Sequence, residues 1–591
     1  MSLNADQLAA VECDDPLLVV ACPGSGKTHL TVEKIARILK KEPYAKVVGV
    51  TFTRDGAKEL MQRVEKRYGS TKDRCYVSTF HSLALNHLKR NKVRIHIASN
   101  AEISNTVKRA VDSLGLEIHP VEAQGIIESC KSIPHFEPLN DDVGKLYTAY
   151  QEICQRNHIM DFFDVMLMSL RMIQDGSLPI LGATHMLVDE FQDVDEVQYQ
   201  YFMEHFRSGK VIPTAVGDDD QTIFNFRNAL GYTGMTRFEN ETKATRVTLG
   251  INYRCHREIL NAADRLILNN VNRLDKRLFA HKGRGGTVEY KHRFDSRKTE
   301  ASFIVDKIQS TIEQVRVNDV PVYKVKPSQW AVLARNNDML DEVDSILKSR
   351  GIPYYRSGTT FWERTVPSLM LTVMKSMCRK ERAGIEHLLH WSGVTVDDID
   401  ELRELIGDDW VAIYDVKQMN ALDLSQFNPA SKDIIKEFAI KIAGQAKRAN
   451  KAGDEDVVRT VKGLADWMLS RTNNNAYIKH IELVKDVLSG MAGTLLERIQ
   501  RVQQKPAEEP GNGVALSTMH SSKGLEFDHV WIVGVETDII PSTRDGMPTE
   551  ADVEDERKLM YVAMTRARNY LYLSSAVPRA PSQFIAEAFR D

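Results

Sequence analysis

The stretch from Pro16 to Leu39 reads PLLVVACPGSGKTHLTVEKIARIL, an apolar run followed by a Gly-rich turn and a helical pattern. A buried strand that ends in such a turn and continues as a helix is typical of a parallel α/β sheet. The backbone N–H groups of the turn and the first turn of the helix are suited to bind phosphate oxygens. We therefore predict a nucleoside triphosphate site at Gly24, Ser25, Gly26, Lys27 and Thr28.

Within this turn the two residues after the last Gly carry the specific chemistry. We expect Lys27 to reach the β- and γ-phosphates and Thr28 to hold Mg²⁺. Ala21 stands where the usual pattern has its first Gly, and Cys22 and Pro23 fill the turn. A Gly-rich turn without nucleotide is disfavoured by the strand before it and the helix after it.

Composition bounds the class of protein. The chain has 591 residues and a net charge of -3, so about four domains of ~150 residues are expected and any surface for nucleic acid must be local. Its seven Cys are scattered without a CxxC pair, which indicates reduced thiols in a cytosolic protein. No apolar stretch approaches the ~18 residues of a membrane span, and MSLNADQLAA lacks a signal-peptide core.

Short apolar runs bounded by turn residues occur in two sets, and each set predicts one parallel sheet. The runs of the first set are LLVVA, VVGVTFT, MLVDE and PTAVGD. Those of the second set are WAVLAR, GVALST, HVWIVGV and YLYLSS. Each set is interrupted by a helical, charged stretch, at about 91–184 and 367–504, and the segment 503–513, rich in Pro, Gly and Glu, is typical of a linker.

The segment MLVDEFQDVDEVQ places two acids directly after an apolar run. At the end of such a strand Asp189 is expected to hold Mg²⁺, and Glu190 to polarise the attacking water. An acidic pair alone is more often a solvated loop. Together with the phosphate turn, and followed by Gln192 and Asp193, it indicates hydrolysis rather than simple binding.

The segment DEFQD resembles the DExQD box of superfamily 1 helicases of the UvrD/PcrA/Rep type, and further stretches resemble that family's motifs in the family's order. These are LNADQ (Q motif), VTFTRDGAKEL (Ia), STFHS (Ib), VGDDDQTIFNFRNA (III), LGINYRC (IV), STMHSSKGLEFDHVWIVGVE (V) and EDERKLMYVAMTRAR (VI). The resemblance covers both predicted sheets from end to end. It carries little information about the two helical stretches.

The resemblance implies an α/β fold with two RecA-like parallel-sheet motor domains, each carrying a mostly helical insertion. The first motor domain is expected at 1–90 and 183–278, with its insertion at 91–182. The second is expected at 279–366 and 513–591, with its insertion at 367–512. In this division Arg566 comes from the second motor domain.

The resemblance also implies the parts of the ATP site. Gln7 is expected to read adenine, Tyr253 to stack on it, and Glu526 to bind the ribose hydroxyls. Gln221 is expected to sense the γ-phosphate, and Arg254 and Arg566 to point at it. An arginine at that place contributes roughly 10³–10⁵ to kcat in other phosphoryl-transfer enzymes.

A motor that walks along DNA must bind any sequence, and stacking of a base on an aromatic ring tolerates every base. The resemblance places such rings at Phe52, His81, Phe224 and Phe226, with Thr79 and His520 at the DNA backbone. Arg364, in GTTFWER, is expected to contact DNA or to connect DNA binding with ATP. Two basic stretches, 87–96 and 273–286, are either tracks for phosphates or solvated faces.

The function that the resemblance implies is an ATP- and Mg²⁺-dependent motor that moves 3′ to 5′ on single-stranded DNA and unwinds duplex. Alternatives are a translocase that strips proteins from DNA with weak unwinding, the motor subunit of a helicase–nuclease complex, and a DNA-binding scaffold with an inactive ATPase. The expected partners are single-stranded and 3′-tailed duplex DNA, with repair, replication or nuclease proteins. The expected location is the cytosol of a bacterium or of the host of a phage or mobile element.

Overall fold

The computed structural model divides the chain into two compact units, one made of 1–288, 540–570 and 582–591, the other of 289–539 and 571–581. The residues it describes are 3–71, 73–93, 95–312, 314–317, 320–323, 325–358, 360–379, 384–407, 413, 416–449, 453–504, 511–543 and 546–589. Each unit is built around a six-stranded sheet. This confirms the predicted α/β class with two parallel-sheet domains.

The first sheet has the strand order β3-β2-β4-β5-β1-β6, and all of its neighbouring strands are parallel. Its strands are β1 (Leu17–Ala21), β2 (Val47–Val50), β3 (Cys75–Ser78), β4 (His185–Asp189), β5 (Ile212–Gly217) and β6 (Thr245–Leu249). A two-stranded parallel pair follows, formed by β7 (Ile251–Asn252) and β8 (Phe279–Ala280). Since β1 and β4 lie on either side of β5, the loops that follow these strands meet at one edge of the sheet.

Helices of the first unit cover the sheet or form the insertion between β3 and β4. They are α1 (Ala5–Glu12), α2 (Lys27–Lys41), α3 (Arg54–Tyr68), α4 (Phe80–Arg90), α5 (Asn100–Leu114), α6 (Pro120–Lys131), α7 (Asp142–Asn157), α8 (Phe162–Gln174), α9 (Glu196–Arg207), α10 (Gly231–Thr242) and α11 (Arg257–Ile267). The later chain segments add α22 (Glu550–Met564) and α23 (Gln583–Phe589).

The predicted helical insertion has two kinds of helix. α5, α6 and α7 share a small core of their own, which includes Val107, Ile127 and Tyr150. α8 instead buries Val165 and Leu170 in the core that lies against the sheet. The last helix of the insertion, α8, therefore packs in the layer of helices that covers the first sheet.

The second sheet has the order β13-β14-β12-β15-β16-β9, with β12 parallel to β14 and β15, and β13 parallel to β14. Its strands are β9 (Thr287–Phe294), β12 (Trp330–Ala334), β13 (Tyr354–Arg356), β14 (Val514–Thr518), β15 (Phe527–Ile532) and β16 (Ala567–Ala576). A separate antiparallel hairpin is formed by β10 (Gln314–Val317) and β11 (Val320–Tyr323).

Two helices, α12 (Arg297–Thr311) and α13 (Asp341–Ser349), pack on the second sheet. The remaining helices form the predicted second insertion around a continuous core that contains Met374, Phe438 and Trp467. They are α14 (Thr365–Arg379), α15 (Ile385–Trp391), α16 (Val396–Ile406), α17 (Val416–Ala421), α18 (Pro429–Arg448), α19 (Asp454–Leu469), α20 (Asn475–Gly490) and α21 (Leu495–Gln503). Most of the predicted linker, 505–510, lies outside the described residues.

The predicted strands are the interior strands of the two sheets, namely β1, β2, β4 and β5 in the first and β12, β14, β15 and β16 in the second. Within these two sheets the four strands without a prediction, β3, β6, β9 and β13, are the edge strands. An interior strand is covered on both faces and is therefore mostly apolar. An edge strand such as TRVTL is partly exposed and does not show this pattern.

The segment 540–570 groups with the first unit, whereas the predicted division assigns it to the second motor domain. Its helix α22 is tied to the first unit by Arg557, which donates to Asn270 at 2.5 Å and to Glu587 at 2.7 Å. The four domain boundaries stay a prediction. Among the described residues no helix has the length and apolar character to cross a membrane, and the seven Cys are free thiols.

Candidate nucleotide and nucleic-acid site

The turn between β1 and α2 is shaped by two Gly residues in the left-handed region. Gly24 has φ +62° and Gly26, the N-cap of α2, has φ +83°. A Cβ on Gly24 would lie 2.7 Å from the Cβ of Arg254, so only Gly fits there. Within the described residues the Oγ of Ser25 is buried without a hydrogen-bond partner. A buried donor and a helix N-terminus together are suited to bind phosphate.

The N-terminal helix is connected to this turn through Gln7. Asn4 and Gln7 form a capping box at the start of α1, and Nε2 of Gln7 donates to the Ser25 carbonyl at 2.8 Å. Nδ2 of Asn4 donates to the Tyr253 hydroxyl at 2.9 Å, and the Tyr253 N–H donates to the Gly24 carbonyl at 2.9 Å. The two residues predicted for adenine thus lie beside the phosphate turn.

The acidic pair lies at the end of β4, as predicted. Asp189 is 8% exposed, and Glu190 has the left-handed φ of +53°. Oε2 of Glu190 is 3.7 Å from the Nζ of Lys27. Burial and the neighbouring Glu190 carboxylate raise the pKa of Asp189 to about 7. The structure therefore brings the predicted base close to the predicted phosphate-binding lysine.

Gln192, for which the sequence predicts no role, is a hydrogen-bond partner of the acidic pair, through Glu190. Its side chain is fully buried; Nε2 donates to Oε2 of Glu190 at 2.6 Å, and Oε1 accepts the Asp218 N–H at 2.9 Å. A Cβ on Gly217 would lie 2.8 Å from that Oε1. Gly217 thus lets Gln192 approach, and Gln192 joins the acidic pair to the loop that carries Gln221.

The structure brings three of the predicted γ-phosphate residues together. Nη2 of Arg566 donates to Oε1 of Gln221 at 3.2 Å, and Nε2 of Gln221 donates to Asp218 at 2.5 Å. Nη1 of Arg254 donates to the Thr565 carbonyl at 3.3 Å. Arg566 and Gln221 are buried, at 2% and 4% exposure. The amide of Gln221 therefore accepts a hydrogen bond through its oxygen and donates one through its nitrogen.

Two residues of one basic stretch depart from its prediction. Arg273 and Lys276, in 273–286, were expected either to track phosphates or to form a solvated face, yet both bind aspartates. The Nζ of Lys276 lies between the carboxylates of three consecutive acids, at 2.5, 2.8 and 2.9 Å from Asp218, Asp219 and Asp220. Although burial alone lowers the pKa of Lys276, these carboxylates raise it well above its ordinary value. The ammonium fills what would otherwise be a cluster of acids suited to a metal ion.

Three of the four predicted base-stacking rings form a contiguous group. Phe52 and Phe224 are stacked, with ring centroids 5.0 Å apart and planes 11° apart. Phe226 meets Phe224 edge-on at 6.0 Å and is 66% exposed. Phe226 is therefore the most exposed ring of the group, and Phe52, at 36% exposure, is also accessible from solvent.

Thr79 and His81 lie at the start of α4. Thr79 is the N-cap, and its side chain accepts the Ser82 N–H at 3.3 Å. The ring of His81 packs edge-on against Phe163 at 5.7 Å. Burial lowers the pKa of His81 to about 4, so its imidazole is neutral at pH 7.

A cavity of about 160 Å³ adjoins both groups of residues. Phe52, Thr79 and His81 line it, and so do Asp189 and Glu190. Three of the predicted DNA residues and the two predicted hydrolytic acids thus share one cavity of the first unit.

Three of the other predicted residues, Arg364, His520 and Glu526, belong to the second unit. Arg364 donates to Asp338 at 2.8 Å and to Asp341 at 3.0 Å. Burial lowers the pKa of His520 to about 4, with Arg335 and Lys523 adding to the shift. Glu526 is exposed in the loop before β15.

Comparison with known proteins covers nearly the whole chain. Residues 3–243 match the family model of the UvrD/REP helicase N-terminal domain. Residues 247–405 and 412–577 match the model of the UvrD-like helicase C-terminal domain.

Similar curated proteins include the ATP-dependent DNA helicase PcrA of Leuconostoc citreum, 28% identical, and that of Bacillus subtilis (strain 168), 27% identical. The alignments cover 99% of this chain and 84% and 85% of those proteins. DNA helicase II of Escherichia coli (strain K12) is 28% identical over 99% of this chain and 87% of its own length.

Proposed function

Because the chain belongs to the UvrD-like helicase family and is therefore an ATP-dependent DNA helicase, we propose that it moves 3′ to 5′ along single-stranded DNA and separates duplex ahead of it. The observation that carries this proposal is the cavity shared by Phe52, Thr79 and His81 with Asp189 and Glu190. Groups that contact DNA and groups that hydrolyse ATP then line one space.

In the proposed hydrolysis, Glu190 polarises the attacking water. Lys27, 3.7 Å from Glu190, moves onto the β- and γ-phosphate oxygens when ATP enters, which frees the carboxylate to act as the base. Arg254 and Arg566 stabilise charge that develops on the γ-phosphate. Gln221 reports its presence through its bonds to Arg566 and Asp218.

Thr28 and Asp189 fit a magnesium ion. Their donors are a hydroxyl and a carboxylate, the hard oxygen ligands that Mg²⁺ prefers. The raised pKa of Asp189 reflects a buried carboxylate beside a second acid, where a cation favours the charged form. When bound with ATP, the ion would neutralise phosphate charge.

The outer parts of the proposed ATP site recognise the nucleoside. Gln7 reads adenine, and its bond to the Ser25 carbonyl makes the position of its amide sensitive to the phosphate turn. Tyr253 stacks on the base and is held by Asn4. Glu526 binds the ribose hydroxyls. The phosphate cradle itself is formed by Gly24, Ser25 and Gly26.

The proposed DNA path runs over Phe226, Phe224, Phe52 and His81, where bases stack. Thr79 and His520 contact the sugar–phosphate backbone, and Arg364 contacts DNA or connects DNA binding with ATP. Stacking contributes about 1–3 kcal/mol per base and tolerates any sequence. A neutral imidazole at His81 is suited to stacking rather than to phosphate binding.

We also propose the domain division given above, with motor domains at 1–90 with 183–278 and at 279–366 with 513–591, and insertions at 91–182 and 367–512. The proposed substrates are single-stranded and 3′-tailed duplex DNA, and proteins of repair, replication or nuclease complexes are proposed partners. The free thiols support a location in the cytosol.

The test is ATP turnover with and without single-stranded DNA, followed by unwinding of 3′-tailed and 5′-tailed duplexes. We expect DNA-stimulated turnover and unwinding of the 3′-tailed substrate alone. Turnover without unwinding would favour protein stripping, and unwinding from a 5′ tail would refute the polarity.

The same assay should be run on Glu190→Gln, with Glu59→Gln on the exposed face of α3 as the matched control. We expect Glu190→Gln to bind ATP and DNA but to hydrolyse ATP about 10³-fold more slowly, since it lacks the general base. Retained turnover would show that Glu190 is not the base.

A further inference from the structure

Asn228 ends the short 3₁₀ helix Asn225–Arg227 in the loop that carries Phe226. Its φ of +56° lies in the left-handed region, which Gly adopts freely and Asn tolerates better than most other residues. The backbone alone would accept Gly at this position. The amide of Asn228 must therefore be explained by what it contacts.

That amide binds the C-terminal end of α6, in the helical insertion. Nδ2 of Asn228 lies 3.1 Å from the Ser129 carbonyl, 2.9 Å from the Ser129 Oγ and 2.5 Å from the Ser132 Oγ. The two serines are linked as well, since Oγ of Ser132 donates to the Ser129 carbonyl at 2.6 Å. One side chain thus reaches an acceptor group that lies 96 to 99 positions earlier in the chain.

The C-terminal end of α6 is held in place by buried ion pairs. Between the two serines, Lys131 is fully buried at its side chain and pairs with Asp161 at 2.6 Å and with Asp164 at 2.7 Å. Asp161 is the N-cap of α8, and the Tyr150 hydroxyl donates to it at 2.9 Å. This network connects α6 to α7 and to α8, whose Val165 belongs to the core against the sheet.

At the other end of the contact is the exposed aromatic ring. Phe226 lies two residues before Asn228, and the Arg227 guanidinium lies over its ring at 5.6 Å from the centroid. Phe226 in turn meets Phe224 edge-on. The direction in which Phe226 faces solvent is therefore set by a loop whose last residue is bound to α6.

We propose that Asn228 is a positioning residue for single-stranded DNA, which ties the loop 225–228 to α6 and so holds Phe226 in the orientation in which a base stacks on it. This inference rests on the proposed DNA contact of Phe226. It gives the helical insertion a part in DNA binding without direct contact to the base.

The test measures the dissociation constant of the full chain for an oligothymidylate and for an abasic strand of the same length, by fluorescence anisotropy. The variants are Asn228→Gly, which keeps the backbone conformation, Phe226→Ala, and both together. Lys243→Gly is the matched control, because Lys243 has φ +54° at an exposed helix end.

We expect Asn228→Gly to weaken oligothymidylate binding about fivefold, a part of the stacking contribution of one base, and to leave abasic binding unchanged. With Phe226 replaced by Ala, the Asn228 change should have no further effect. The paired variant Ser129→Ala with Ser132→Ala should reproduce the fivefold loss from the α6 side, and Lys243→Gly should bind as the wild type does.

Oligothymidylate binding by Asn228→Gly at wild-type strength, while Phe226→Ala weakens it, would overturn the positioning role and leave the DNA contact standing. An equal loss on the abasic strand would also overturn it, because stacking would not be involved. Wild-type binding by Phe226→Ala would overturn both this inference and the proposed DNA contact.

Discussion

Nη2 of Arg566 donates to Oε1 of Gln221 across 345 positions of sequence, at 3.2 Å. The bond joins the proposed γ-phosphate sensor to the proposed catalytic arginine. Both side chains are nearly buried, so the bond is shielded from solvent screening. The two residues are therefore expected to act as a unit.

The first prediction concerns this pair. Arg566→Ala should lower kcat about 10³-fold, as loss of a phosphate-binding arginine does in related chemistry. Gln221→Leu should lower it less, and the double variant should be no slower than Arg566→Ala alone, since residues that act as a unit are not additive. Steady-state ATPase measurements check this, with Arg109→Ala on the exposed face of α5 as control. Strictly additive losses would contradict it.

The second prediction concerns Gln192. Gln192→Glu would place a carboxylate oxygen about 2.6 Å from Oε2 of Glu190. In the native protein the amide N–H of Gln192 donates a hydrogen bond to Glu190 at this place. Two carboxylates at that distance do not both ionise readily, so the pKa of the base should rise. Because the base must be deprotonated, the rising limb of the pH–rate profile should move to higher pH, and turnover at pH 7 should fall about tenfold.

A matched control for Gln192 exists on α9. Nε2 of Gln200 donates to Glu196 at 2.8 Å, so Gln200→Glu makes the same chemical change away from the candidate site. Its pH–rate profile should match that of the wild type. An unshifted profile for Gln192→Glu would show that Gln192 does not control the base.

The third prediction concerns Lys276. Lys276→Met would leave Asp218 and Asp219 buried without their cation, whereas Asp220 keeps its ion pair with Arg273. Such a loss costs about 3–5 kcal/mol in other buried ion pairs. The melting temperature of the full chain should therefore fall by several degrees. Lys282→Met, at an exposed position of the same stretch, should leave it unchanged. Equal melting temperatures for both variants would contradict the proposed role.

Lys276 also shows what could not be predicted from the sequence, namely the partners of a buried charged side chain. The phosphate turn was predictable because β1, the turn and the start of α2 are contiguous, and apolar runs identified every interior strand. Whether a basic residue faces phosphates or fills a buried site depends on partners far away, here aspartates 57 and 58 positions earlier. No local pattern around Lys276 contains that information.

The same reason explains the missed edge strands and Gln192. An edge strand such as β13 has one open side, so its sequence YYR carries no apolar run. Gln192 stands in a motif that was identified, yet its bond to the Asp218 backbone spans 26 positions. Its role can be recognised only from the folded structure, in which the Gln192 amide lies close to both Gly217 and Glu190.

The fourth prediction concerns pH and His205, whose side chain is fully buried on α9. Burial lowers its pKa to about 4, below the ordinary value of 6.5, so the unfolded chain takes up the proton first. The stability that neutral His205 contributes is fully present above pH 6.5 and is lost as the pH falls toward 4.

At pH 5 this loss should reach about 2 kcal/mol. His205→Phe keeps the ring and removes the titration, so its melting temperature should decrease less than that of the wild type between pH 7.5 and pH 5. His135→Phe, at an exposed position, should follow the wild type. A parallel decrease for His205→Phe would contradict a buried neutral imidazole.

The fifth prediction concerns the stack of Phe52 on Phe224. Their rings are 5.0 Å apart, so a base that enters between them must replace one ring contact by two base contacts. Phe52→Leu keeps apolar volume but removes one aromatic face. It should raise the DNA concentration that half-saturates ATPase stimulation about fivefold, within the range of one stacked base.

The control for Phe52→Leu is Phe279→Leu, since Phe279 is 60% exposed in the same unit and lies on β8. Titration of ATPase activity with oligothymidylate measures both variants. An abasic strand should half-saturate wild type and Phe52→Leu at the same concentration, because it offers no base to the ring. If Phe52→Leu instead loses stimulation equally on both strands, Phe52 acts on the sugar–phosphate backbone or on the cavity it shares with Glu190, and not through a stacked base.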